Sequence, residues 1–177
     1  YDVVTASAEA APRSSKTGKI GLAATEATVK SGRFAGEIEK RTGQAVTAVP
    51  CPRLAPMVES GMAPDDPALA AAVAEYCKPF LRDGVDTVVL GCTHYPLAAA
   101  AFAAVLGEGV TLIDCAGEAA KAAAEALKEA HLLAGGTAPA APRYYFTALP
   151  PQPARLLARR LLGEDFTPQL AEPGNKG

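Results

Sequence analysis

Residues 85–90 constrain the fold more than any other segment of the chain. Their sequence, Val-Asp-Thr-Val-Val-Leu, is rich in β-branched residues and nearly all apolar. A strand without regular polar alternation is typical of a parallel sheet whose two faces are both covered by helices. We therefore predict a buried strand here, which belongs to a sheet that other segments of the chain complete.

Strand-like and helix-like runs alternate on both sides of this segment. The other predicted strands are residues 19–24, 45–49, 110–113 and 144–147. Helices are predicted over residues 28–42, 96–106, 116–133 and 153–162, and the first of them has Gly43 as its C-cap. A further helix is predicted from Asp65 or Asp66 through Phe80, although Pro79 can break its last turn. This β-α-β-α order predicts an α/β fold with a mostly parallel sheet flanked by helices. Ligands of such sheets bind at the carboxyl ends of the strands.

Charge and hydropathy argue against several classes of protein. The formal net charge is −2 and no basic block stands out, so we expect no nucleic-acid partner. The longest apolar run, residues 97–106, has about half of the roughly 20 residues that cross a bilayer, so we expect no membrane span. The phosphate-binding patterns GxGxxG and GxxxxGK do not occur, so we expect no nucleotide cofactor.

The four cysteines, Cys51, Cys77, Cys92 and Cys115, show no short paired spacing. We interpret them as free thiols in a reducing cytoplasm, with all but Cys92 as small core residues. No metal site is expected, because a single residue separates Cys92 from His94 and neither a CxxC nor an HxxxH pattern accompanies them.

The predicted strand at residues 85–90 runs directly into Gly91-Cys92-Thr93-His94-Tyr95-Pro96. Gly91 allows a sharp turn and Pro96 favours the first turn of a helix, so Cys92 is expected beside unpaired helix N–H groups. That environment favours the thiolate form of a cysteine. With His94 two residues on, Cys92 could act as a nucleophile or a proton-transfer base. The alternative is a buried cysteine beside a capping histidine.

Two other segments carry candidate site residues. Thr25 and Thr28 follow the predicted strand at residues 19–24, where their hydroxyls could bind a carboxylate, or where either could simply cap a helix. Glu59 lies in a segment stiffened by two prolines and could serve as a supporting acid. Its alternative interpretation is an exposed carboxylate before the turn at Gly61.

Taken together, these segments resemble those of the glutamate racemases, within the aspartate/glutamate racemase superfamily. Residues 20–32 resemble I-G-V-I-(A/G)-T-x-x-T-V-x-S-G, residues 51–61 resemble C-P-x-(F/L)-x-P-(L/M)-V-E-x-G, residues 90–97 read L-G-C-T-H-Y-P-L, and residues 110–116 resemble V-x-L-I-D-S-A with Cys115 in place of Ser. The resemblance is strong over residues 19–116 and looser to residue 162.

The resemblance implies a cofactor-independent interconversion of L- and D-glutamate by two cysteines on opposite faces of the substrate. Cys92 matches the second of them, which deprotonates L-glutamate, and His94 matches the histidine that assists it. Substrate-contacting positions of the family match Thr93, His94, Thr25 and Thr28. Glu59 matches a supporting glutamate at the edge of the site. The family supplies D-glutamate for peptidoglycan, and hence for cell wall biogenesis and cell shape, in the bacterial cytoplasm, and it is often dimeric.

The sequence departs from the family in one large respect. Neither the Cys-Asn-Thr segment of the first catalytic cysteine nor the family's Asp-Ser pair occurs in these 177 residues, and the first Met is Met57. The resemblance therefore implies a truncated racemase, weak or inactive by itself. Residues 1–115 would form the central α/β domain, residues 116–166 the helix-linker-strand-helix tail of an incomplete domain, and residues 167–177 a flexible end. Without its partner strands, the tail would be poorly anchored and would expose Leu156, Leu157 and Leu161.

Three other functions stay open at this point. The chain could be a non-catalytic remnant or a module that binds an acidic amino acid. It could be a sibling enzyme, such as an aspartate racemase or another isomerase of the superfamily. Cys92 could also be a plain redox thiol.

Overall fold

The computed structural model describes residues 2–133 and residue 159, and the chain divides into two compact units. The first unit comprises residues 1–58 and 62–133, and the second comprises residues 59–61 and 134–177. Apart from Arg159, the predicted strand 144–147, the predicted helix 153–162 and the three leucines of the tail lie outside the described residues. The division of the chain at residue 115 stays a prediction.

The first unit is built around a four-stranded sheet in which every neighbouring pair of strands is parallel. Its strands are β1 (Ile20–Ala24), β2 (Thr47–Pro50), β3 (Thr87–Gly91) and β4 (Thr111–Asp114), in the spatial order β2-β1-β3-β4. The helices are α1 (Val3–Ser14), α2 (Glu26–Ser31), α3 (Arg33–Thr42), α4 (Leu54–Glu59), α5 (Pro67–Asp83), α6 (Ala99–Leu106) and α7 (Cys115–Glu129), with a 3-10 helix over Tyr95–Ala98. The predicted α/β fold with a parallel sheet is confirmed.

Alternate residues of the inner strands belong to two separate hydrophobic clusters, one on each face of the sheet. On β3, Val88 and Leu90 join the cluster that contains Phe80 of α5 and Phe102 of α6. Val89 joins the other cluster, which α1 and α3 cover. The sheet therefore has both faces buried, which explains why the sequence of β3 shows no polar alternation.

Two of the predicted helices differ here from the structure, and one helix was not predicted. The predicted helix 28–42 is broken into α2 and α3, because Gly32 adopts a left-handed conformation with φ of 64° that closes one helix and opens the next. Pro79 does not end α5, which continues to Asp83. Helix α1 was not predicted. Its buried face consists largely of alanines such as Ala8 and Ala11, which give no strong apolar periodicity.

A hydrogen-bonded carboxylate, that of Asp86, directly precedes the first residue of β3. Asp86 accepts hydrogen bonds from the Ser15 hydroxyl (2.6 Å), the Lys16 amide (2.9 Å), and the Thr17 amide and hydroxyl (both 2.8 Å). Burial alone would raise the pKa of Asp86, but these donors outweigh it and lower the pKa to about 2. The charged carboxylate thus ties the segment after α1 to the start of the inner strand.

We expect Asp86→Asn to lower the free energy of unfolding by about 1–2 kcal/mol at pH 7, after allowance for partial exposure. Since folding lowers the pKa of Asp86, its contribution is complete above the ordinary value of 3.8 and is lost as the pH falls towards 2. Urea unfolding at a series of pH values checks this, with the exposed Asp65→Asn as the matched control. A difference between wild type and Asp86→Asn that is constant from pH 7 to pH 2 would contradict the assignment.

Candidate active site

The carboxyl ends of the four strands meet at one edge of the sheet. Ala24 pairs with both Pro50 and Gly91, and Leu90 pairs with Asp114. The residues that follow the strands are Thr25, Cys51, Cys92 and Cys115. The parallel register thus brings the predicted residues Thr25 and Cys92 to neighbouring strand ends, as expected for a ligand site in this kind of sheet.

Cys92 lies in the turn after the inner strand β3 and is the one partly exposed thiol of the four. Its Sγ lies 3.7 Å from Nδ1 of His94, within hydrogen-bonding reach for sulfur. The same Nδ1 lies 3.5 Å from the hydroxyl of Thr93. The structure therefore brings together Cys92, Thr93 and His94 in an arrangement that can exchange a proton between a thiol and an imidazole.

The chain leaves this turn through a 3-10 helix rather than through the predicted α-helix, which begins only at Ala99. The Tyr95 amide donates to the Cys92 carbonyl at 3.1 Å, and the Leu97 amide donates to the His94 carbonyl at 3.1 Å. The tighter winding follows from Pro96, which lacks an N–H and suits the first turn of a helix.

Thr25 and Thr28 are coupled by their hydroxyls, which lie 2.9 Å apart. Thr25 is also the N-cap of α2, because its Oγ1 accepts a hydrogen bond of 3.3 Å from the Thr28 amide. Capping is therefore one role of Thr25. Both side chains remain partly exposed at the strand edge, so capping does not preclude contact with a ligand.

The other three cysteines are buried, as the sequence predicted. Burial raises the pKa of Cys51 to about 12, with Cys77 adding to the effect, and burial alone raises the pKa of Cys77 to about 12. Burial also raises the pKa of Cys115 to about 11, and its thiol donates to the Leu90 carbonyl at 3.0 Å. These thiols stay protonated at neutral pH and are poor proton-transfer bases.

Glu59 is the last residue of α4, has an exposed side chain and belongs to the second compact unit. Its predicted supporting role therefore stays a prediction.

The role of Tyr95 was missed at the sequence level. Its hydroxyl donates to the Cys51 carbonyl at 2.8 Å, and since that partner is 44 residues away, no local pattern indicates the contact.

One cavity lies away from the strand edge. A cavity of about 420 Å³ is lined by α5, α6 and the segment before α5, including Asp65, Ala70 and Ala104, and none of the predicted site residues lines it. Within residues 2–133 and 159, no three His, Cys, Asp or Glu side chains converge as metal ligands would. In the same part of the chain, no helix has both the length and the apolar character needed to span a membrane.

Comparison with known proteins points to one family. The sequence model of the family described as Asp/Glu/Hydantoin racemase matches residues 2–123. The glutamate racemase of Mycobacterium ulcerans (strain Agy99) is 36% identical over 166 residues, which cover 94% of this chain and 61% of that protein. The chain therefore spans about three-fifths of the length of this curated relative.

Solved structures agree with the sequence comparison. A glutamate racemase isoform from Bacillus anthracis superposes with a TM-score of 0.86 at 30% identity, over 96% of this chain and 63% of that one. The glutamate racemase of Francisella tularensis in complex with D-glutamate superposes with a TM-score of 0.83 at 28% identity, over 97% of this chain and 63% of that one. The fold of this chain thus corresponds to about three-fifths of each of these enzymes.

Proposed function

The chain belongs to the Asp/Glu/hydantoin racemase family, and on that premise we propose that it carries one half of the proton-transfer apparatus of a glutamate racemase. The observation that carries the proposal is the pair of Cys92 and His94, whose reactive atoms lie 3.7 Å apart at the carboxyl end of the inner strand β3. The identity with the glutamate racemase of Mycobacterium ulcerans supports glutamate as the substrate.

The proposed chemistry assigns one proton transfer to Cys92. The α-proton of an amino acid is weakly acidic, so its removal requires a well-placed base and a site that stabilises the developing carbanion. The Cys92 thiolate removes this proton from L-glutamate, and a protonated His94 stabilises the thiolate before the transfer. The proton passes from Cα to Sγ, and the electron pair of the C–H bond remains on the substrate.

Inversion requires a second proton donor on the opposite face of Cα. Cys51, Cys77 and Cys115 do not suit this task, because they are buried and burial raises the pKa of each. The family's own second-face cysteine lies in a Cys-Asn-Thr segment that these 177 residues do not contain. We therefore propose that these residues by themselves racemise glutamate weakly or not at all.

The remaining predicted residues are assigned to substrate binding. The hydroxyls of Thr25, Thr28 and Thr93 are suited to hydrogen-bond a carboxylate. We propose that the reaction is cofactor-independent, as the resemblance to the glutamate racemases implies. We further propose that the product, D-glutamate, supplies peptidoglycan synthesis in the cytoplasm and that the protein acts as a homodimer.

Protection of Cys92 against alkylation tests this proposal. We expect iodoacetamide to modify Cys92 before the three buried thiols, and L-glutamate at about ten times its Kd to slow that modification by about tenfold. Peptide mass spectrometry identifies the modified cysteine, and aspartate at the same concentration is the matched control. Transfer of the α-proton is measured separately, as deuterium incorporation from D₂O into L- and D-glutamate.

Each outcome has a distinct meaning. Equal protection by aspartate would favour a sibling racemase. Protection by glutamate without any deuterium exchange, even when the missing half of the site is supplied, would favour a binding module. An accessible thiol that neither amino acid protects would contradict the proposal and leave a redox thiol as the simpler function of Cys92.

A further inference from the structure

We infer that Tyr95 is a positioning residue, which holds the turn carrying Cys92 and His94 by donating its hydroxyl hydrogen bond to the Cys51 carbonyl. The inference rests on the proposed function for its catalytic meaning, but the structural claim concerns the geometry of Cys92 itself. Tyr95 does not act on the substrate. It acts through Cys92 and His94, which lie before it on the same turn.

The backbone of Cys51, which follows β2, connects the end of β1 with the turn after β3. Its N–H donates to the Ala24 carbonyl at the end of β1 with a distance of 2.8 Å. Its carbonyl accepts from the Tyr95 hydroxyl, also at 2.8 Å. The Tyr95 amide in turn donates to the Cys92 carbonyl at 3.1 Å. One continuous series of hydrogen bonds therefore runs from the strand end beside Thr25 to the turn of Cys92.

The Tyr95 side chain is fully buried, at 0% exposure, in the hydrophobic cluster that contains Phe80 and Phe102. Burial raises the pKa of the Tyr95 phenol, with the nearby Cys51 and Cys92 adding to the effect, so the hydroxyl remains a donor. The Cys51 carbonyl also accepts a hydrogen bond from the Leu54 amide at 3.2 Å, so loss of the Tyr95 hydroxyl would remove one of its two hydrogen bonds and leave the ring in place.

The consequence for the site follows from the spacing of the residues. His94 directly precedes Tyr95, so a shift of the Tyr95 ring moves the backbone of His94 and changes the 3.7 Å separation between Nδ1 and the Cys92 Sγ. Three buried groups also interact electrostatically with Cys92, namely Cys51, Cys115 and Tyr95. Burial raises the pKa of all three, so they are protonated and uncharged at neutral pH.

The test is the pH dependence of Cys92 alkylation in Tyr95→Phe, which removes one oxygen atom and keeps the ring. We expect the midpoint of the alkylation profile to rise by about half a pH unit, or roughly a threefold loss of thiolate below the midpoint. Iodoacetamide is the probe, with Cys92 followed by peptide mass spectrometry. Glutamate is not needed, so this result is separable from failure of the proposed function.

Two controls separate positioning from general loss of stability. Tyr76→Phe makes the same chemical change at a hydroxyl that contacts Arg53 instead of a strand end. Ile38→Val removes one buried methyl group in the cluster on the other face of the sheet. We expect both controls to retain the wild-type midpoint. A wild-type midpoint in folded Tyr95→Phe, or an equal shift in the controls, would overturn the inference.

Hydrogen exchange of the unmodified chain decides the question if Tyr95→Phe does not fold. We expect the Cys51 and Tyr95 amides to exchange with the same opening free energy, because one hydrogen-bonded series holds both. A Tyr95 amide that exchanges freely while the Cys51 amide stays protected would overturn the inference.

Discussion

Replacement of Cys92 by alanine is expected to lower the rate of glutamate racemisation by on the order of 100- to 10,000-fold in a racemase that contains these residues. This is the usual range for loss of a positioned acid or base, and no other described thiol can take over the transfer. The three remaining cysteines are buried and have raised pKa values. The rate is measured by polarimetry in both directions, from L- and from D-glutamate.

Cys77→Ala is the matched control for this substitution. It removes a thiol of the same size from the hydrophobic cluster of α5, outside the strand edge. We expect Cys77→Ala to racemise at nearly the wild-type rate and Cys92→Ala to keep the circular dichroism spectrum of the folded chain. Unchanged racemisation by Cys92→Ala in both directions would refute the assignment of Cys92 as a base.

The placement of Cys92 beside His94 at the end of β3 was predictable because all of its determinants are adjacent in sequence. The β-branched run before Gly91 predicts a buried parallel strand, and the turn to Pro96 places Cys92 at its carboxyl end. The pairing of Cys92 with His94 spans only two residues. Local patterns therefore indicate both the location of the candidate site and its reactive group.

Features that depend on distant partners could not be predicted in this way. The contact between Tyr95 and the Cys51 carbonyl depends on the alignment of two strand ends 44 residues apart. Helix α1 depends on packing of small alanines against α3 and α7, which leaves no apolar stripe to recognise. The continuation of α5 through Pro79 follows from burial of Cys77 and Phe80 beside the proline, and this packing outweighs the lost backbone hydrogen bond.

The sheet beneath the site is expected to be most sensitive where Phe80 packs against Gly21. A Cβ atom on Gly21 would lie 2.7 Å from Cδ1 and 2.8 Å from Cε1 of Phe80, and 3.2 Å from Cγ1 of Val85. The aromatic ring thus occupies the space that any other residue at position 21 would need. Because Gly21 pairs with Val88 of β3, displacement here acts on the strand that carries Cys92.

We expect Phe80→Ala to lower the free energy of unfolding by about 3–5 kcal/mol, since it empties the space of a fully buried ring. Gly21→Ala should cost about 1–3 kcal/mol by overpacking. The two sites should be coupled. A smaller side chain in Phe80→Leu makes room for the added methyl, so the double variant Gly21→Ala/Phe80→Leu should be more stable than the sum of the single effects predicts, by about 0.5–3 kcal/mol.

Gly36→Ala is the matched control for Gly21→Ala, because Gly36 lies within α3 and a Cβ there would meet no atom within 4 Å. We expect that substitution to be neutral or to stabilise the protein by up to about 1 kcal/mol, since alanine favours a helix over glycine. Urea unfolding followed by circular dichroism measures all five variants. Strict additivity of Gly21→Ala and Phe80→Leu would show that the close approach of Gly21 and Phe80 does not determine the packing of this face.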